Sequence, residues 1–173
     1  MEKIRTLISE AEIAARVETL AAEIALLSPD GFIIVGLLKG AAVFVADLIR
    51  ALYRAGTCPE IEFMRLASYG IAKENSGEVR LLGDVSTDLA GRRVLLVDDI
   101  VDTGRSMAHA AALLRQRGVD EIRTCTLLDK PERREVKFAV DFVGFHIRDV
   151  FVVGYGTDYA EKYRYLPYIG IAE

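Results

Sequence analysis

Val94-Leu95-Leu96-Val97 runs straight into Asp98-Asp99, then a third acid, Asp102, and a turn, Thr103-Gly104-Arg105-Ser106. The turn opens Met107-Ala108-His109-Ala110-Ala111-Ala112-Leu113-Leu114. The apolar β-favouring run predicts a buried strand, and the stretch after the turn predicts a helix. Open α/β sheets bind ligands where a strand delivers side chains from its carboxyl end into a following helix. Backbone N–H groups at that helix N-terminus, with the hydroxyls of Thr103 and Ser106, suit a phosphate dianion. Acids beside such a nest point to a phosphorylated sugar held with a divalent metal.

The rest of the chain repeats the strand-to-helix alternation. Ser9 and Glu12 form a capping box for a helix carrying Ile13, Val17, Leu20, Ile24 and Leu27. Ser28-Pro29-Asp30-Gly31 stops it. Phe32 to Leu38 is a continuous apolar run, as a parallel strand covered on both faces requires. Lys39-Gly40 ends that strand, and Ala42, Val45, Leu48, Ile49 and Leu52 mark a second helix. Further strands are predicted at Ile61–Tyr69, Val79–Leu82, Ile122–Leu128, Val140–Phe145 and Val150–Val153. The fold class is α/β: a doubly wound, mostly parallel sheet flanked by helices. The first helix and the segment after Asp129 are expected to form a small cap, or hood, over its carboxyl edge. Residues 1–173 read as a single domain.

Composition removes several function classes. A net charge of −4 and a pI near 5.3 argue against a nucleic-acid-coating protein. Cys58 and Cys125 stand far apart without a CxxC, so neither a disulfide framework nor a zinc site is indicated, and a reducing cytoplasm fits. No apolar run reaches the length of a membrane span, and Met1-Glu2-Lys3-Ile4-Arg5 has no apolar leader core. Receiver domains and Walker-B strands also end in acids. However, more than half the chain precedes this pair, and no G-x-x-x-x-G-K-[ST] loop exists.

The acidic strand and its turn resemble the phosphoribosyl-pyrophosphate motif of type I phosphoribosyltransferases. Leu37-Leu38-Lys39-Gly40, Ser68-Tyr69-Gly70, Leu127-Leu128-Asp129-Lys130, Asp141-Phe142-Val143-Gly144-Phe145 and Val152-Val153-Gly154-Tyr155-Gly156 resemble the 6-oxopurine branch. The resemblance implies that Asp98 and Asp99 engage the ribose hydroxyls directly or through Mg²⁺. Asp98 stands where many relatives have Glu. Ile100 and Val101 belong to the same substrate-binding segment, and Thr103, Gly104, Arg105 and Ser106 would cradle the 5′-phosphate. Arg105 would contribute its amide rather than its guanidinium. Asp102 would exchange the proton on purine nitrogen 7 as general base or acid, although an Asp here can also cap the helix.

By the same resemblance, Lys39 and Gly40 would bind pyrophosphate around a cis peptide, where the residues alone also fit a plain turn. Ser68 and Tyr69 would begin a lid running to Gly77. Lys130 would donate to the 6-oxo group, Phe142 would stack on the purine, and the Val143 backbone would reach the ring's polar edge. Asp149, with Asp98 and Asp99, would ligate Mg²⁺. The rest of Lys130-Pro131-Glu132-Arg133-Arg134-Glu135 reads as a solvated loop. The implied activity is purine salvage, forming IMP from hypoxanthine and GMP from guanine, with xanthine the competing base. The competing class is a regulator that uses the nucleotide site as a sensor and binds RNA or DNA. The expected partners are small-molecule substrates, without nucleic acid or membrane, in a homodimer or homotetramer.

Overall fold

The computed structural model describes residues 4–27, 31–68 and 79–172. At its centre are two adjacent parallel strands, β2 (Ile33–Leu38) and β5 (Arg93–Val101). Strand β3 (Glu60–Ser68) pairs with the outer side of β2, and β4 (Val79–Gly83) runs antiparallel beyond it. On the other side β6 (Glu121–Asp129) and β7 (Phe142–His146) continue the parallel ladder from β5. The order β4-β3-β2-β5-β6-β7 reverses direction between β2 and β5. In such sheets that reversal leaves a crevice above the carboxyl ends of the two strands.

The continuous apolar runs are explained by burial on both faces. Ile34, Leu95 and Val97 point into one core, which helices α1 (Glu10–Leu27) and α2 (Ala41–Arg54) cover. Ile33, Val35, Leu37, Val94 and Leu96 point into the other, against Met107, Ala110, Ala111 and Leu114 of α3 (Arg105–Gln116). The capping box forms as expected, with the Ser9 N–H donating to Glu12 at 2.8 Å and the Glu12 N–H returning to Ser9 Oγ at 3.3 Å.

The expected hood is present, with a different membership. It is a three-stranded antiparallel sheet of β1 (Ile4–Ile8), β9 (Ile169–Ala172) and β8 (Val152–Val153), so segments from near both chain ends build it. Helix α1 instead buries Ile13, Val17, Leu20 and Ile24 in the core shared with α2. Of the segment after Asp129, β7 belongs to the main sheet. Arg16 of α1 closes that sheet edge by donating to the carbonyls of Val143 at 2.7 Å and Gly144 at 2.9 Å. No helix among the described residues is long and apolar enough to cross a membrane.

The loop after β8 ties the hood to β2. The Tyr155 hydroxyl donates to Asp47 of α2, and Gly156, at φ +99°, lies against the Gly40 carbonyl. A Cβ at Gly156 would stand 2.1 Å from that oxygen. Gly156→Ala is therefore expected to cost about 2 kcal/mol or more, a fall in Tm of roughly 4–8 °C for a chain of this size. Gly31→Ala is the control, since φ is +84° there but nothing lies within 4 Å of the added Cβ. Thermal melts showing equal losses for the two variants would mean the hood contact contributes nothing.

Candidate active site

The crevice above β2 and β5 collects the acids of the opening motif. Asp98 is buried inside β5, and its Oδ1 accepts from the Asp99 N–H at 3.0 Å. Asp99 reaches across to β2, where a Cβ on Gly40 would lie 2.0 Å from its Oδ2. The Leu38–Lys39 peptide is cis, and the Lys39 ammonium pairs with Glu161 of the hood loop at 3.0 Å. Burial first, and the charge of Asp99 second, hold the Asp98 carboxyl well above the usual carboxylate range. Burial raises Asp99 as well, against hydrogen bonds from Asp98 and the Asp99 and Ile100 amides and the charge of Arg164.

Beside Asp98 the chain turns into α3 around a cavity of about 70 Å³, lined by Asp98, Ile100, Val101, Asp102, Thr103, Gly104, Ser106 and Met107. Gly104 is the N-cap at φ +82° and carries no side-chain cap; the Arg105 N–H donates to Thr103 Oγ1 at 3.3 Å, and the helix N-terminus that follows suits an anion. Asp102 does not serve as the cap. The Arg105 guanidinium turns away to Glu135 at 2.7 Å. The Val101 side chain is buried in the α3 core, while its carbonyl accepts from the Lys130 N–H at 2.9 Å.

A second cavity of about 280 Å³ opens next to this nest, lined by Asp99, Ile100, Asp102, Lys130, Arg133, Phe151, Val152, Thr157 and Asp158. Lys130, 5% exposed, stands at the end of β6. Asp102 Oδ1 is buried in the wall without a hydrogen-bond partner among the described residues. Phe151 is 53% exposed and meets Tyr159 edge-on, with ring centroids 5.5 Å apart. The hood loop supplies Asp158, held at 2.7 Å by Arg164, which also donates to the Gly156 carbonyl at 2.6 Å.

Three expected residues lie elsewhere. Phe142 is packed in the α1–α2 core opposite Cys125, near the amino end of its strand and away from the crevice. The Val143 carbonyl is taken by Arg16. Asp149 is an exposed carboxylate paired with Arg133 at 3.4 Å and is not in the cavity wall. Phe151, Val152 and Asp158 occupy the cavity wall where these three were expected. The two segments look alike in sequence, Phe142-Val143-Gly144-Phe145 against Phe151-Val152-Val153-Gly154-Tyr155. The usable signal was position: a residue opening a parallel strand sits at the edge opposite the ligand. Arg133 and Arg134 are likewise not loop solvation; the first lines the cavity and the second is tied to the Asp102 carbonyl at 2.7 Å. Ser68 ends β3, and Tyr69 with the rest of the expected lid lies outside the described residues.

Among the described residues no cluster of three or more His, Cys, Asp or Glu could hold a metal unaided. Asp98 and Asp99 nonetheless suit Mg²⁺. Two buried carboxyls with raised proton affinity favour a hard cation whose remaining ligands are oxygens from a bound sugar.

The family profile described as phosphoribosyl transferase domain matches residues 6–160. The hypoxanthine-guanine phosphoribosyltransferase of Bacillus subtilis is 45% identical over 168 residues, covering 96% of this chain and 92% of its own. A hypoxanthine-guanine phosphoribosyltransferase structure from Bacillus anthracis superposes with a TM-score of 0.91 at 39% identity, over 100% of both chains. The Trypanosoma cruzi hypoxanthine phosphoribosyltransferase, solved in complex with the product IMP, gives 0.91 at 34% identity, over 99% of this chain and 95% of that one.

The raised Asp98 carboxyl has a consequence for stability. A carboxyl that binds its proton more tightly when folded contributes fully below the unfolded value of about 3.9. That stability is lost as the pH rises through the folded value. Asp98→Asn, which cannot ionise, should therefore melt above the wild type at pH 7.5 without substrates, by roughly 2–4 °C for each kcal/mol relieved. The gap should close near pH 4. A wild type that melts as high as the variant at both pH values would contradict the raised pKa.

Proposed function

The chain belongs to the phosphoribosyltransferase family, and on that premise we propose that it moves the phosphoribosyl group of phosphoribosyl pyrophosphate onto hypoxanthine and guanine. The products are the nucleoside monophosphate and pyrophosphate, and the reaction is one of purine salvage. The relatives named above are enzymes, and none is named as a regulator.

The observation that carries the reading is the placement of Asp102. Its Oδ1 is a buried acceptor with no aligned hydrogen bond among the described residues, faced by Arg133 Nε at 3.0 Å. It shares a cavity with the Lys130 ammonium and the Phe151 ring and lies one turn from the phosphate nest. Lys130 donates to the purine 6-oxo group, whereas adenine would set an amino donor against it. Phe151 stacks on the ring. Purine nitrogen 9 then forms its bond to the anomeric carbon as the carbon–oxygen bond to pyrophosphate breaks. The electron pair leaves on pyrophosphate, and the proton on nitrogen 7 passes to Asp102.

Thr103 to Ser106 bind the 5′-phosphate through amides and hydroxyls, and Asp98 and Asp99 orient the ribose hydroxyls. Asp98 and Asp99, with Asp158 across the cavity, would hold Mg²⁺, which neutralises pyrophosphate charge when bound. Lys39 and Gly40, at the end of β2, bind pyrophosphate. The assembly is a homodimer or homotetramer. Val43 and Tyr165, 37% and 79% exposed along a groove of about 460 Å³ between α1, α2 and the hood loop, support self-association.

Asp102→Ala and Asp102→Asn should lower kcat for IMP formation by about 10²- to 10⁴-fold, while the KM for phosphoribosyl pyrophosphate stays within a few-fold. Near-normal turnover in either variant removes the assignment. The two phenylalanines should separate cleanly. Phe151→Ala should raise the KM for hypoxanthine about fivefold or more through lost stacking. Phe142→Ala should instead cost about 3–5 kcal/mol of stability. The reverse pattern would restore Phe142 as the stacking ring.

A further inference from the structure

Arg133 occupies the purine cavity without any role in the reaction described above. Its backbone is fixed on both sides. The Lys130 N–H donates to Val101 O at 2.9 Å, the Arg133 N–H to Lys130 O at 3.2 Å, and Glu135 and Val136 to Thr103 O at 3.0 and 3.3 Å. Arg134 binds the carbonyls of Val101 and Asp102 at 3.2 and 2.7 Å and pairs with buried Asp129. The Arg133 side chain, half exposed, projects from this fixed backbone and is held by ion pairs to Asp102 and Asp149. Its Nε lies 3.0 Å from Asp102 Oδ1, off hydrogen-bond geometry, and its Nη1 lies 3.4 Å from Asp149 Oδ1. One guanidinium is thus shared between a carboxylate inside the cavity and one outside it.

Resting on the purine-site reading of this cavity, we propose that Arg133 sets how readily Asp102 is given up to a bound ligand. Its guanidinium competes with the purine for Asp102, and Asp149 receives it when the base binds. A free base brings an N–H at nitrogen 7, which can replace the guanidinium as donor to Asp102. The nucleotide product has no such proton, because nitrogen 7 is then a bare acceptor. Once Asp102 has lost its proton, its carboxylate faces that lone pair, and Arg133 is the better partner. Either ligand gives up the Arg133–Asp102 pair, but only the base regains a donor to Asp102, so the base is held and the nucleotide is left weakly bound. The off-axis ion pair with Asp102 suits this use, since a well-formed bidentate pair would resist displacement.

Steady-state kinetics on the full chain test the proposal with two variants that should move in opposite directions. Arg133→Met keeps the aliphatic stem and removes the competitor. The KM for hypoxanthine should fall by about two- to fivefold, a range set by half-exposed ion pairs, and the inhibition constant of IMP should fall by a similar factor. Asp149→Asn removes the outside carboxylate and should raise both constants, because Arg133 then stays on Asp102. A rise in the hypoxanthine KM with Arg133→Met would make Arg133 a substrate contact and overturn the proposal. Unmoved constants in active protein, or the same direction in both variants, would overturn it too. Wild type that forms no nucleotide would overturn the reading of the cavity itself, and the proposal with it.

Discussion

The carboxylate of Asp99, the backbone of Gly40 and the backbone of Gly156 are stacked so closely that none of the three can grow. A Cβ on Gly40 would meet Asp99 Oδ2 at 2.0 Å, and one on Gly156 would meet the Gly40 carbonyl at 2.1 Å. This stack joins the end of β5, the loop after β2 and the hood. Each of those elements supplies one part of the site: acids and phosphate nest from β5, the Lys39 loop from β2, and Phe151 and Asp158 from the hood. Their mutual geometry is fixed by these close contacts together with the Tyr155–Asp47, Lys39–Glu161 and Arg164–Gly156 interactions. Substrate groups can therefore be positioned without ordering much beyond themselves.

Placing two acids side by side in a buried strand end works against the folded state. Desolvation raises the proton affinity of both carboxyls, and the charge of Asp99 raises that of Asp98 further, which is a loss of stability at neutral pH. A divalent cation bound with the ribose, as proposed above, would relieve the charge at this strand end. Function here is written as an electrostatic deficit in one place and a donor excess in another. Lys130 and Arg133 supply the excess on the far wall, and Arg164 is paired with Asp158 behind it.

The parts legible in the sequence are those governed by local rules. Apolar runs covered on both faces located β2, β5 and β6 to within a few residues, and the Ser9–Glu12 box placed the start of α1. The Asp98–Ser106 segment carried its own chemistry because strand, acids and anion nest are contiguous. What was not legible depends on distant pairing. Nothing in Ile4–Ile8 announces that it will join Ile169–Ala172, with Ile4 opposite Ala172. Likewise Phe142 and Phe151 head near-identical segments, and only the sheet decides which is core and which is site. The mixed charges of Lys130–Glu135 read as solvation, whereas hydrogen bonds between this loop and the Val101–Thr103 backbone set where Arg133 and Arg134 lie.

The stretch Lys130–Val136 donates to Val101, Asp102 and Thr103 carbonyls, the backbone of the very turn that carries the acid and the nest. A parallel strand leaves the carbonyls beyond its last ladder bond unpaired, and a crevice cannot leave them all to water. Arginine is suited to the task because one planar guanidinium spans adjacent acceptors, here the carbonyls of Val101 and Asp102 with the carboxylate of Asp129. The second arginine, one residue earlier, then projects from a backbone already locked. A side chain so mounted can move between Asp102 and Asp149 while the turn beneath it stays still, which separates control of purine binding from the integrity of the phosphate nest.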